Sequence, residues 1–266
     1  MLLRYAGLVA LAVFTTFPLV WLAAVALRAR GPVFGFPPAL WPWPPSLVHV
    51  ATVWQTMPLP RFFVNTLVLV GAGVALQVTL CAMAAYPLAR MEFPGRRLIT
   101  GLLLATLMLP GHIGLIVNFV TLLRLRLVDT YAGVVLPGAV SVFGILLLRQ
   151  AFLAVPADLE DAARLDGASE WTIWRRVMLP VVRPALAALA LFEFVAHWNA
   201  FLWPLVVLKS PEKYPLAVGL LYLSGLFAHS TRAVAAGAVL MTLPVVVVFV
   251  FTQRYFVRGL LLGALR

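Results

Sequence analysis

Five stretches of this chain run for nineteen residues or more without one Asp, Glu, Lys or Arg: 5–27, 62–89, 98–123, 130–148 and 233–253. A sixth, 184–208, carries Glu193 as its one charge. A helix crosses a hydrocarbon core of about 30 Å with roughly 20 apolar residues, so each block is long enough for a span. In lipid the backbone must satisfy its own polar groups, and the blocks lack the alternation of barrel strands, which leaves helices. The expectation is an all-α, polytopic membrane protein forming a single domain over 1–266. Its six transmembrane helices are expected at 5–27, 62–89, 98–123, 130–155, 181–208 and 231–256, with a connecting loop at 156–180 between the fourth and fifth.

Charge then sets orientation. Only 11% of residues are charged, against about a quarter in a soluble domain. The net charge of +11 comes from eighteen Arg and two Lys spread over the connections, with no basic tract to suggest nucleic acid. With six spans and the N-terminus inside, Arg28, Arg30, Arg61, Arg124, Arg126, Lys209, Lys213 and Arg232 fall outside. The other twelve of the twenty cations fall inside, an asymmetry in the direction expected for cytoplasmic termini. Ala24-Val25-Ala26 resembles a signal cleavage site, but the apolar run before it exceeds the roughly 7–15 residues of a signal core. A retained helix is expected. Cys81 is the lone cysteine, so no intramolecular disulfide can form.

The outer segment 31–61 is dense in Pro and Trp. Its prolines stop helices, Ser46 is placed to cap a short helix at 47–57, and Trp41, Trp43 and Trp54 suit the headgroup region. Residues 90–97 form a basic inner turn, 124–129 a short outer turn, and 209–214 begin the last outer loop.

One segment does not fit a protein built for lipid. Asp158, Glu160, Asp161, Asp166 and Glu170 put five of the nine acidic residues into thirteen positions. Pro156 suits a first helical turn, where the helix dipole favours the acids that follow it. Leu159, Ala162, Ala163 and Asp166 share one helix face, small in the middle, which admits a close neighbour. Gly167 stands where a positive φ is wanted at a helix end. Ser169 is placed to cap a second helix, with Glu170 in its first turn and Arg175 and Arg176 in its last, before Pro180 opens the next span. A plain turn between spans needs only a few residues. Two capped helices are a docking element for a partner.

The pattern Asp161-Ala162-Ala163, three residues, Gly167, nine residues, Val177-x-Leu179-Pro180 resembles the EAA loop of ATP-binding-cassette (ABC) importer permeases. Asp stands for that family's Glu and Val for its usual Ile. AARLDGAS at 162–169 is similar to the sugar-importer branch. FFVNTL at 62–67, AAYPLARMEFPGRR at 84–97, WNAFLWPL at 198–205 and QRYFVRGLLLGALR at 253–266 extend the likeness to the maltose/glycerol-phosphate type, the six-helix subunit. The resemblance implies a bacterial or archaeal cytoplasmic (inner) membrane protein that pairs with a second, homologous permease subunit. It also implies two ABC ATPase subunits, which use ATP and Mg, and an extracytoplasmic solute-binding protein that delivers a sugar. Glu160, Asp161, Ala162, Ala163, Asp166 and Gly167 would then be the ATPase-coupling residues. No catalytic residue, bound cofactor or metal is expected in this chain. It has no P-loop, since Leu208 stands before Lys209 where glycine is needed, and it has no HExxH pair.

Ionisable groups within spans are functional candidates because lipid makes them costly. Glu193 and His197 lie at i, i+4, with Trp198 and Asn199 beside them. Either these residues bind sugar hydroxyls and a pyranose face, or Glu193 and His197 bond each other to satisfy packing. Asn65, Gln77, His112 and Asn118 are weaker path candidates that read first as interhelical hydrogen-bond partners. A proton-coupled secondary transporter using Glu193 and His197 is the alternative; it leaves the acidic segment without a role.

Overall fold

The computed structural model describes residues 2–31, 33, 34, 41–109, 113–227 and 230–264; His112 and the side chains of the 253–266 motif lie outside them. Among the described residues there are helices and no strand. In chain order they are α1 (Leu2–Leu27), α2 (Val48–Thr56), α3 (Leu59–Arg90), α4 (Arg96–Thr106), α5 (Leu115–Arg124), α6 (Tyr131–Val135) and α7 (Val142–Leu153). Then follow α8 (Asp158–Leu165), α9 (Glu170–Thr172), α10 (Leu179–Val181), α11 (Arg183–Trp198), α12 (Leu202–Val207), α13 (Leu216–Leu226) and α14 (Thr231–Ala264). The chain divides into two compact units, 1–65 with 214–248 and 66–213 with 249–266.

In the first unit α1 packs on α2. The short helix lies within the expected 47–57, but its N-cap is Leu47 and not Ser46; the Ser46 hydroxyl, one residue earlier, accepts from the Val48 amide at 3.2 Å. Trp41, Trp43 and Trp54 are exposed, as a headgroup collar requires. The Arg232 guanidinium donates to the Gly31 carbonyl, tying α14 to the turn after α1.

The second unit holds a core of Cys81, Ala85 and Tyr86 from α3, Ile145, Leu148 and Phe152 from α7, Ile173 and Met178 from the loop, and Leu189 from α11. Tyr86 meets Phe152 edge-on at 5.7 Å, the arrangement that aromatic quadrupoles favour. The end of α3 is closed by side chains. Arg96 donates to the carbonyls of Leu88, Ala89 and Met91, and Arg149 donates to Leu88. These guanidinium groups fill acceptors that a helix C-terminus leaves open. After α5, Asp129 clasps the segment that follows α12. It accepts from the Lys209 and Ser210 amides at 2.9 and 3.0 Å and from the Lys213 ammonium at 2.7 Å. Burial pushes the Asp129 carboxyl up, but these hydrogen bonds outweigh it and hold it well below the usual carboxylate range.

The six blocks are realised with more breaks than their composition suggests. Two helices, Tyr5–Leu27 and Leu59–Arg90, are single rods long and apolar enough to cross a membrane. The expected span 98–123 is two helices, α4 and α5; the sequence between them contains Pro110 and Gly111. The expected span 130–155 bends by 49° between Gly138 and Val142. Pro137 sits in a 3₁₀ turn there, and Ser141 caps α7 by accepting from the Gly144 amide at 3.1 Å. The expected span 181–208 does not open at Pro180: a helical run continues through Val181 and then turns by 77° into α11. Pro184, in the first turn of α11, lacks the amide that would have continued the run. That span breaks again between Trp198 and Leu202. The segment after Tyr214, expected as outer loop, contains the apolar helix α13; its eleven residues are too few to register as a span.

Candidate functional site

The acidic segment folds as two helices around a glycine. Asp158, Glu160 and Asp161 occupy the first turn of α8. At its end Gly167 has φ +79°, its amide donates to the Arg164 carbonyl at 3.0 Å, and the Ala168 amide donates to the Ala163 carbonyl at 3.0 Å. This pair of bonds is a Schellman motif, which needs a left-handed residue at Gly167. Ser169 then accepts from the Thr172 amide at 3.3 Å and starts α9, which runs through a π-helical stretch, Ile173–Met178, into α10. Arg175 and Arg176 therefore lie mid-run and not in a last turn.

The α8 face differs from the expected one in one respect. Leu159, Asp161, Ala162, Leu165 and Asp166 are exposed, Leu165 to 90%, and Ala163 packs on the unit's own core. Glu160 is 3% exposed and turns inward to Arg90 of α3, Nε to Oε1 3.6 Å. Arg164 lies between three carboxylates, at 3.9 Å from Glu160, 3.1 Å from Asp161 and 2.9 Å from Glu170. The Tyr86 hydroxyl donates to Glu170 at 2.8 Å, and Arg90 also donates to the Val155 carbonyl. Burial pushes the Glu160 carboxyl up against the pull of Arg90 and Arg164. The hydrogen bond from Arg164, with help from Tyr86 and against burial, holds the Glu170 carboxyl below its ordinary value. Sequence reasoning missed Tyr86, Arg90 and Arg164. Their signal was present: Tyr86 and Arg90 lie at i, i+4 at the end of a span, and Arg164 sits inside the loop pattern.

On α11 Glu193 and His197 do not bond each other. His197 Nε2 meets Gln77 Oε1 of α3 at 2.8 Å, so Gln77 is the interhelical partner expected of it. The imidazole lies against Gly73, where an added Cβ would come within 3.0 Å of the ring. Glu193 is 8% exposed and engages in no hydrogen bond or salt bridge among the described residues. Trp198 is buried and stacked on Phe194, centroids 5.4 Å apart, so its indole face is covered. Asn199 is exposed, and its amide nitrogen donates to Val195. Asn118 is exposed on α5. Asn65 belongs to the first unit, where it is buried and donates to the Tyr214 carbonyl at 3.0 Å.

The family model described as "binding-protein-dependent transport system inner membrane component" matches residues 77–261. The chain belongs to that family. The permease is 39% identical over 193 residues to the arabinooligosaccharides transport system permease AraQ of Halalkalibacterium halodurans, covering 73% of this chain and 69% of the relative. It is 31% identical over 271 residues to the diacetylchitobiose uptake system permease NgcG of Streptomyces coelicolor, covering 99% and 88%. Its fold superposes on a chain of a bacterial ABC transporter involved in import of the acidic polysaccharide alginate. The TM-score is 0.82 at 25% identity, with 96% of this chain and 95% of that chain covered. The chain is an ABC importer permease of the inner membrane, and the secondary-transporter alternative falls away.

Proposed function

We propose that the permease forms half of the path by which an oligosaccharide or similar polyhydroxylated solute is imported, delivered by an extracytoplasmic binding protein. A second, homologous permease subunit supplies the other half, and two ATPase subunits supply the energy by hydrolysing Mg-ATP. Both termini lie in the cytoplasm. The observation that carries this reading is the α8–α9 loop. It presents Leu159, Asp161, Ala162, Leu165 and Asp166 to solvent while Glu160 and Arg164 anchor it from behind. An exposed rim on a fixed base is what an ATPase would need to push against. The sugar relatives and the polar groups on α11 support the solute class. Glu193 is the path residue of choice, because Gln77 already holds His197 and Phe194 covers Trp198.

The test is uptake of labelled arabino- and chito-oligosaccharides into vesicles holding the assembled importer. Uptake should require both ATP and the binding protein. In the same assay Glu193→Gln should lower uptake severalfold while the complex still assembles; undiminished uptake would remove Glu193 from the path.

A further inference from the structure

The loop, α3 and α11 of the second unit meet pairwise at three corners, and these corners close a triangle. At the first, one turn of α3 grips both arms of the loop. Tyr86 bonds Glu170 at 2.8 Å beside α9, Arg90 faces Glu160 of α8 at 3.6 Å, and Arg164 ties the two carboxylates together. The second corner is covalent, where the helical run ending at Val181 turns by 77° into α11. At the third, α11 returns to α3: His197 bonds Gln77 at 2.8 Å with its ring set against Gly73. At 1.5 Å per residue the α3 side, Gln77 to Tyr86, is about 14 Å, and the α11 side, Arg183 to His197, about 21 Å.

A helix joined to a loop by a single bend can hinge there. Three sides joined at three corners cannot change their angles unless one corner opens. Opening the first corner would separate a buried pair, Arg90 and Glu160 with side chains 12% and 4% exposed, and leave the buried Arg90 without its carboxylate. Resting on the reading of the loop as the ATPase contact, we propose that Tyr86 and Arg90 are positioning residues for energy coupling. They make α3 a second strut, so that the loop, α3 and α11 move as one braced body and the 77° bend does not act as a hinge.

The experiment measures solute taken up per ATP hydrolysed in vesicles containing the whole importer. Tyr86→Phe keeps the ring on Phe152 and removes one hydroxyl. It should lower the ratio about two- to thirtyfold, the range in which substitutions along coupling networks act, with the ATPase subunits still bound. Tyr86→Cys combined with Glu170→Cys should lower it likewise, and a short bifunctional thiol reagent joining the two positions should restore it. Mere loss of folding would not be rescued in this way. An unchanged ratio in Tyr86→Phe, or a linkage that arrests transport or leaves the ratio low, overturns the brace. The unaltered chain is assayed alongside: absence of ATP-dependent uptake there counts against the importer reading itself.

Discussion

Gly167 concentrates the loop's geometry in one residue. Its φ of +79° lies in the left-handed region, and no atom stands within 4 Å of where a Cβ would be. Substitution there is therefore a matter of backbone conformation and not of space. A left-handed residue other than glycine costs about 1–2 kcal/mol, least for Asn and most for β-branched side chains. Gly167→Asn should keep ATPase subunits bound during purification and uptake near normal. Gly167→Val should lose both while the chain still inserts, as quantified from membranes of cells expressing each variant. Equal behaviour of the two would mean that φ is not what matters here. Gly167 and Ser169 were legible in the sequence because their roles are fixed by neighbours within five residues. The Gln77–His197 bond joins residues 120 apart, and the inward turn of Glu160 depends on Arg90; neither is a local property.

At the scale of elements, the sequence displayed the apolar blocks but not their breaks, because hydropathy is indifferent to helix direction. Pro137 and Pro184 carried the information, yet a proline within an apolar run is equally compatible with a mild kink. The Asp129 clasp was hidden for another reason: it joins the turn after α5 to the segment after α12, which are distant in sequence. Its carboxyl is held below the usual range, so its contribution to the folded state is complete above an ordinary Asp value near pH 3.9 and is lost as pH falls through the depressed folded value. The Lys209 and Ser210 amides, which donate to Asp129, should thus remain protected from hydrogen exchange at pH 4, where an unpaired Asp is about half protonated. Asp129→Asn should speed their exchange even at neutral pH. Exchange unaffected by the substitution would show that the segment holds its shape without the carboxylate.

For the molecule as a whole, the acidic segment is, on the proposed reading, the part of an otherwise apolar chain that addresses a soluble partner. Its inner residues are committed to α3, and its outer residues face solvent, Asp161 among them paired with Arg164 of its own helix. Among these Leu165 is 90% exposed, an apolar side chain placed in water beside Asp161 and Asp166. The central claim is that an ATPase subunit covers this rim. A photo-reactive group attached at Leu165→Cys in a Cys81→Ala background, within the assembled importer, measures this most directly. The account predicts covalent capture of the ATPase subunit, diminished when the same group is moved to Glu160→Cys on the buried side of α8. Capture of lipid alone from Leu165, or no difference between the two positions, would contradict it.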